Sequence, residues 1–272
     1  MHPILIRIGP LAIPSYGFMF ALGIVAGLLV MLHLAKKENL ERNQLVDFVF
    51  YTLLSGLLGA KLLLLLTNLG HYLSHPSELK YLLVSGGTFY GGLILGGLFA
   101  FWFIRKHKLD FPRLADCVAP GIALAHFFGR IGCFLAGCCH GRPADFFPLA
   151  VTFTSTEAWH NTGCPLYTPL YPTQLFEAGF NLLNFLFLFQ FFKRRAYKGQ
   201  VFSFYILNYS IIRFLLEYLR GDSDRGYIFG GLDNPLLSIS TSQLISLAGI
   251  LLALFLFRMF KKSEQKNNSD QG

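Results

Sequence analysis

The sequence places an uncharged apolar run at residues 15–35, SYGFMFALGIVAGLLVMLHLA. A run of this length crosses the apolar core of a bilayer, which is about 30 Å thick. It is punctuated by glycine and no small-residue cleavage site follows it, so we interpret it as a membrane span rather than a signal peptide. Only 14% of the residues are charged, whereas soluble domains carry about 25%. The sequence therefore predicts an all-α integral membrane protein.

Similar apolar runs recur along the chain and predict about seven transmembrane helices. Their approximate bounds are 15–35, 46–67, 88–104, 114–132, 173–192, 200–219 and 238–257. Lysine and arginine gather after the first, third, fifth and seventh runs. The positive-inside rule then places the N-terminus outside and the C-terminus in the cytoplasm. The net charge of +8 is thus largely a topology signal, and we expect no nucleic-acid partner.

The spans predict the organisation of the rest of the chain. We expect one transmembrane domain over residues 1–260, with an external loop near 133–172 that follows the fourth span. The last residues, 261–272, read KKSEQKNNSDQG and are polar throughout. Such a segment has too little apolar surface to form a packed core, so we predict a disordered cytoplasmic tail.

Charged residues lie inside the sixth predicted helix. Four polar residues share one face of it at i, i+4, i+8 and i+11 spacing: Tyr209, Arg213, Glu217 and Arg220. A charge at the centre of a membrane helix costs at least about 2.5–3.5 kcal/mol, which pairing of Arg213 with Glu217 would reduce. One interpretation is a structural ion pair, with Arg220 extending to the headgroups. The other is an anion pocket, in which Arg213 and Arg130 bind one phosphate between them.

Four of the five cysteines lie on the predicted outer side: Cys133, Cys138, Cys139 and Cys164. The outside is an oxidising compartment in bacteria, so a structural disulfide from Cys138 or Cys139 to Cys164 is one interpretation. A metal site from Cys138, Cys139 and His140 is another, although adjacent cysteines are poor metal spacing. No Cys-x-x-Cys redox motif is present.

Glycines and one histidine also allow two interpretations each. Gly23-x-x-x-Gly27 and Gly92-x-x-x-Gly96 are typical of closely packed membrane helices. Four glycines flank Tyr90 and would let a lipid headgroup approach the backbone: Gly86, Gly87, Gly91 and Gly92. His126 precedes Arg130 by one helical turn, where it is either a buried structural histidine or a base close to the arginine.

These motifs together resemble the bacterial prolipoprotein diacylglyceryl transferase family over most of the chain. The matching stretches are IGPLAIPSYGFMFALGI at 8–24, GGTFYGGLILGG at 86–97, GRIGCFLAGCCHGRP at 129–143, YPTQLFEA at 171–178 and RFLLEYLRGD at 213–222. The central signature is the most specific of them. It comprises Gly129, Arg130, Ile131, Gly132, Phe134, Gly137, Gly141 and Arg142. The family's seven spans and external N-terminus agree with the topology derived above.

The resemblance implies an activity and a set of site residues. A diacylglyceryl group would move from phosphatidylglycerol to the lipobox cysteine thiol of a prolipoprotein signal peptide, and glycerol phosphate would leave. The implied catalytic residues are Arg130, Arg213, Tyr90 and Glu217. The implied substrate contacts are Tyr16, Tyr209, Arg220, Gly129, Gly141 and His126. The resemblance implies no metal and no organic cofactor, and it places the enzyme in the bacterial inner membrane with its site toward the periplasm.

The sequence departs from the family pattern at three positions. Tyr90 stands where the family usually has histidine, Cys133 where it has asparagine, and Tyr171 where it has histidine. A phenol with a pKa near 10 is a weak base at neutral pH, so these departures indicate a divergent branch. If the reaction needs a base, His126 or His140 would supply it; otherwise the arginines alone lower the barrier.

Other function classes remain open at this stage. A paralogue that only binds anionic lipid, or carries it to another acceptor, is favoured by Tyr90 but does not explain why both Arg130 and Arg213 are retained. A membrane thiol redox protein would use the four outer cysteines and would not need Arg213. A transporter is disfavoured because the polar residues gather at one side of the predicted membrane region.

Overall fold

The computed structural model describes residues 2–9, 11–84, 86–221, 226–230 and 238–269. The chain divides into two compact units. Unit 1 comprises Met1–Met31 and Ala115–Gly272, and unit 2 comprises Leu32–Leu114.

Helices dominate the described chain. They are α1 (Ser15–Lys37), α2 (Arg42–Thr67), α3 (Leu69–Ser74), α4 (Leu79–Val84), α5 (Phe89–Lys106), α6 (Phe111–Ala136), α7 (Thr156–Thr162), α8 (Thr173–Phe191), α9 (Gln200–Leu216) and α10 (Thr241–Ser269). Short 3₁₀ turns lie at Pro76–Glu78, Phe192–Arg194 and Glu217–Leu219. Three two-stranded antiparallel pairs complete the fold: β1 (Ile4–Ile8) with β2 (Leu11–Pro14), β3 (Val151–Thr152) with β4 (Pro169–Leu170), and β5 (Tyr227–Phe229) with β6 (Ile239–Ser240).

Five helical stretches are long and apolar enough to cross a membrane, which confirms the predicted fold class. They are Ser15–Lys37, Arg42–Thr67, Phe111–Ala136, Thr173–Arg194 and Thr241–Lys266. The other two predicted spans also form helices, α5 with 18 residues and α9 with 17 residues. The count of seven spans and their orientation stay predictions.

Small residues bring helices close together in both units. In unit 1, a Cβ at Gly23 would come within 3.0 Å of the Ala125 carbonyl oxygen, and one at Gly27 within 2.7 Å of the Gly121 carbonyl oxygen. The predicted close packing at Gly23-x-x-x-Gly27 is therefore confirmed, and α6 is the partner helix. Because α6 carries Arg130, this seam fixes one wall of the site described below.

In unit 2, α2 and α5 pack along a glycine seam. A Cβ on Gly59 would overlap the carbonyl oxygen of Gly91, and a Cβ on Gly92 would come within 3.1 Å of the Gly56 carbonyl oxygen. The expected approach of a lipid headgroup is wrong at Gly91 and Gly92, because both face α2 rather than lipid. Gly87 has a φ of 77° and lies against Ala60.

The start of α9 is held by a side chain from another helix. The Asp116 carboxylate, fully buried on α6, accepts hydrogen bonds from the backbone N–H groups of Gly199 at 2.8 Å and Phe202 at 2.9 Å. Arg195 lies 3.4 Å from the same carboxylate. These contacts satisfy N–H groups that a helix start leaves without intrahelical partners. They fix α9, which carries Arg213.

Two predicted boundaries differ from the structure. Helix α6 continues through Ala136, so the loop begins after it rather than at residue 133. The loop is folded, with Phe153, Cys164 and Leu170 forming a fully buried apolar cluster. Helix α10 continues to Ser269, so the predicted disorder is wrong for 261–269, where helical geometry continues from the apolar span. Residues 270–272 lie outside the described residues.

Candidate active site

Arg130 lies in the penultimate turn of α6 and pairs with a carboxylate from α8. Its Nη2 atom is 2.9 Å from the Oε1 atom of Glu177. The Glu177 side chain is 3% exposed, so this carboxylate is removed from solvent. A guanidinium carries five N–H donors. The pair therefore orients Arg130 while leaving donors for a further anion.

Arg213 forms a second ion pair within the end of α9. Its Nη1 atom lies 2.7 Å from Oε2 of Glu217, and its Nη2 atom donates to the Ser242 hydroxyl at 3.1 Å. The sequence-based prediction that Arg213 pairs with Glu217 is confirmed. Ser242 lies on α10, so two helices hold the guanidinium in place.

Tyr209 brings the helices of the two arginines together. Its ring lies 5.1 Å from the ring of His126, which precedes Arg130 by one turn of α6. Because Tyr209 precedes Arg213 by one turn of α9, it places the two ion pairs in one neighbourhood of unit 1. Fixed guanidinium groups in a largely buried setting are suited to binding a phosphate.

Arg220 lies beside this neighbourhood but not on the predicted helix face. The α-helix ends at Leu216 and continues as a 3₁₀ turn to Leu219, after which Arg220 has extended backbone with φ −76° and ψ 145°. Arg220 pairs with Gly141 in a β-bridge and is buried, with 8% exposure. The interpretation that Arg220 extends to the headgroups is therefore wrong.

Gly141 lies where three chain segments meet. Its N–H group donates to the Tyr171 carbonyl at 3.0 Å, and the N–H group of Arg142 donates to the Leu219 carbonyl at 3.0 Å. A Cβ on Gly141 would overlap the Tyr171 backbone. Glycine at this position is required for packing, and its predicted contact with substrate stays a prediction.

Three further predicted contact residues, His126, Gly129 and Tyr16, also lie in unit 1. His126 lies on α6, with Nδ1 3.4 Å from the Tyr205 hydroxyl and its ring 5.1 Å from the Tyr209 ring. Gly129 borders open space, because a Cβ placed there meets no atom within 4 Å. Tyr16 is 44% exposed and lies against Gly132 of α6.

Tyr90 belongs to unit 2. It lies in the first turn of α5, is 49% exposed, and its ring makes an edge contact with Phe89 at 5.8 Å. Its predicted catalytic role stays a prediction.

Sequence reasoning missed the polar face of α8. Five polar residues of this helix are buried: Thr173, Gln174, Glu177, Asn181 and Asn184. Thr173 and Gln174 donate to the carbonyl groups of Cys139 and Cys138, and Asn208 of α9 donates to Asn184 at 2.9 Å. The available signal was a carboxylate and two asparagines at i, i+4 and i+7 in an otherwise apolar span.

The expected disulfides are absent from the described cysteines, all of which are free thiols. Cys164 is fully buried in the apolar loop core, where burial raises the pKa of its thiol to about 11. The thiol sulfurs of Cys133, Cys138 and Cys139 instead lie within 4.8 Å of one another. His140 is not a member of this group; its Nδ1 atom is 3.0 Å from the Gly141 carbonyl oxygen.

Comparison with known proteins identifies relatives along the whole chain. A family model described as prolipoprotein diacylglyceryl transferase matches residues 3–259. The chain is 34% identical over 265 residues to the phosphatidylglycerol–prolipoprotein diacylglyceryl transferase of Clostridium tetani, covering 97% of this chain and 100% of that protein. It is 35% identical over 271 residues to phosphatidylglycerol–prolipoprotein diacylglyceryl transferase 2 of Clostridium perfringens, covering 100% of each. The enzyme of that name from Bordetella avium is 35% identical over 261 residues, covering 94% and 93%.

Proposed function

The chain belongs to the prolipoprotein diacylglyceryl transferase family, and we propose that it transfers an sn-1,2-diacylglyceryl group from phosphatidylglycerol to the lipobox cysteine thiol of a prolipoprotein. The reaction replaces a carbon–oxygen bond of the donor with a carbon–sulfur bond. The acceptor thiol loses its proton, its sulfur attacks the glycerol carbon that bears the phosphate, and glycerol phosphate leaves with the bonding electron pair. The product is a thioether.

The observation that carries this proposal is the pair of partly buried arginines, each held by a buried carboxylate. Arg130 and Arg213 each use one nitrogen to contact a carboxylate, at 2.9 and 2.7 Å. Each guanidinium carries five N–H donors, so the carboxylate contacts leave donors for an anionic headgroup. Negative charge develops on the departing phosphate, and preorganised donors stabilise such charge more in the transition state than in the ground state.

The other residues receive supporting roles in this proposal. Glu177 and Glu217 orient the arginines, while Tyr209 and Tyr16 contact the headgroup. Tyr90 is proposed to hydrogen-bond the donor from the start of α5. His126 is the proposed base if one is needed, and an unchanged rate in a His126→Ala variant would remove it from that role.

The setting of the reaction follows from the charge pattern and the family. We propose that residues 1–260 act as one catalytic domain, because the family match runs without interruption over residues 3–259. The distribution of lysine and arginine supports a site toward the periplasmic face of the bacterial inner membrane. The lipobox cysteine of a signal peptide would reach the site from that face.

Diacylglyceryl transfer by the purified protein tests the proposal. The full chain in detergent is given phosphatidylglycerol and a lipobox peptide, and the mass gain of the peptide is measured. We expect transfer by the wild type and a loss of about 10²–10³-fold in kcat for Arg213→Ala, the range found when one charge-stabilising donor is removed. Arg7→Ala is the matched control, since Arg7 lies in an exposed ion pair with Glu157.

Two outcomes would contradict the proposal. Full transfer by Arg213→Ala would remove the arginine from the chemistry. No transfer by folded wild-type protein that still binds phosphatidylglycerol would favour the lipid-binding paralogue, and Tyr90→His would then be the next variant.

A further inference from the structure

Three thiols converge where α6 ends. Cys133 lies in the last turn of α6, and Cys138 and Cys139 follow the helix end at Gly137. Gly137 has a φ of 82° and its N–H group donates to the Cys133 carbonyl at 2.9 Å, so the chain turns back across the helix end. The turn places the three sulfur atoms within 4.8 Å of one another.

The positions of these thiols are fixed by neighbouring backbone and side chains. The Cys138 N–H group donates to the Cys133 carbonyl at 3.1 Å, and the Gln174 amide donates to the Cys138 carbonyl at 2.8 Å. The Thr173 hydroxyl donates to the Cys139 carbonyl at 3.0 Å. Gln174 and Thr173 are both buried. The start of α8 therefore holds the backbone that presents two of the three sulfurs.

Two arginines lie close to the cluster. Arg130 precedes Cys133 by one turn of α6, and Arg220 pairs in a β-bridge with Gly141, two residues after Cys139. Positive neighbours stabilise thiolates, which are the form that binds metal ions. Cys133 is buried, and the other two thiols are only partly exposed.

We propose that Cys133, Cys138 and Cys139 form a binding site for one thiophilic d¹⁰ metal ion, Zn²⁺ or Cu⁺. Zn–S bonds are about 2.3 Å long, so sulfurs that share one zinc ion lie about 3.8–4.0 Å apart. The observed upper limit of 4.8 Å requires only a small side-chain adjustment. Soft thiolate ligands select these ions over hard cations.

Three thiols release three protons when they bind one ion. Three thiolates and Zn²⁺ together carry one net negative charge. Three protein ligands leave zinc one open position, as in sites that bind an additional small ligand, and they complete a trigonal set for Cu⁺.

Metal binding to single-cysteine variants tests the site. The full chain is purified in detergent with its thiols reduced, and Zn²⁺ and Cu⁺ are offered separately in competition with a chromophoric chelator. We expect one ion per chain from at least one of the two metals. Cys138→Ala and Cys139→Ala should each weaken binding at least about a hundredfold, since loss of an outer-shell partner alone costs 10- to 100-fold.

Cys164→Ala is the matched control. Cys164 is buried among Phe153 and Leu170 and is not a member of the cluster, so the variant should bind metal as the wild type does. Equal loss of binding in Cys164→Ala and Cys139→Ala would overturn the proposal. Reduced wild-type protein that binds neither ion would also overturn it.

A second measurement needs no variant and so does not depend on a variant that folds. Wild-type protein with and without Zn²⁺ is alkylated, digested and analysed by mass spectrometry. Bound metal should protect Cys133, Cys138 and Cys139 but leave the labelling of Cys164 unchanged. Absence of protection, or a disulfide within the cluster that resists reduction, would contradict the site. Neither measurement uses transfer activity, so this proposal and the proposed function can fail independently.

Discussion

Units 1 and 2 bury different kinds of surface. Among the described residues, every buried polar or charged side chain lies in unit 1, including Asp116, Glu177 and Glu217. The described part of unit 2 buries apolar residues and the glycine seam between α2 and α5. Small residues are the usual means of bringing membrane helices together. Buried charges are costly in an apolar medium and add little net stability, so the polar interior of unit 1 is better explained by function.

The first prediction breaks one ion pair of unit 1. Glu177→Ala should lower the free energy of unfolding by about 3–5 kcal/mol, because the guanidinium of Arg130 is left without its buried partner. Thermal unfolding in detergent measures the effect. Glu157→Ala removes the partner of the exposed Arg7 and should cost only about 0–1 kcal/mol. Equal losses of unfolding free energy in the two variants would show that burial of the Arg130–Glu177 pair does not increase its effect on stability.

The second prediction separates stability from activity at the Arg213–Glu217 ion pair. In Arg213→Met/Glu217→Leu, apolar side chains of similar size replace the ion pair. The double variant should unfold at the wild-type temperature or above it, because such replacements are often neutral or stabilising. Transfer should nevertheless fall about 10²–10³-fold with the loss of charge at the phosphate. A large loss of stability together with retained transfer would make this pair structural and contradict the comparison of the two units.

The third prediction tests the seam of unit 2. Gly59→Ala places a methyl group against the Gly91 carbonyl and Leu95, so α2 and α5 must move apart. Overpacking of this kind costs about 1–3 kcal/mol of stability. Gly97→Ala is the control on the same helix pair, because a Cβ at that exposed position meets no atom within 4 Å. If the two variants unfold at the same temperature, the seam is not what stabilises unit 2.

Features that depend on local spacing could be predicted from the sequence. The apolar runs gave the helical membrane fold. The Arg213–Glu217 pair follows from i, i+4 spacing on one helix, and Gly23-x-x-x-Gly27 follows from residue size. The two members of the ion pair lie within one turn of each other. Close packing of the helices requires only that Gly23 and Gly27 have no side chain.

Features that depend on where helices end or meet could not be predicted in this way. Arg220 was placed on the α9 face because its spacing suits an α-helix, but the helix tightens after Leu216. Glu177 lies far along the chain from Arg130, and only the packing of α8 against α6 brings them together. The thiol cluster depends on a reversal at Gly137, which made Cys133 a neighbour of Cys138 and Cys139.

The last prediction concerns a glycine of unit 1 at a position with room for a larger side chain. Gly129 lies on α6 one residue before Arg130 and borders open space, unlike the seam glycines of unit 2. Gly129→Ala should therefore gain about 0.5–1 kcal/mol of stability, since glycine in a helix is less favourable than alanine by that amount.

If the donor headgroup occupies this space, the added methyl group should raise KM for phosphatidylglycerol several-fold. Gly97→Ala should show the same gain in stability with unchanged KM. Unchanged KM in both variants would place the headgroup elsewhere in unit 1, whereas a rise confined to Gly129→Ala would locate it beside Arg130.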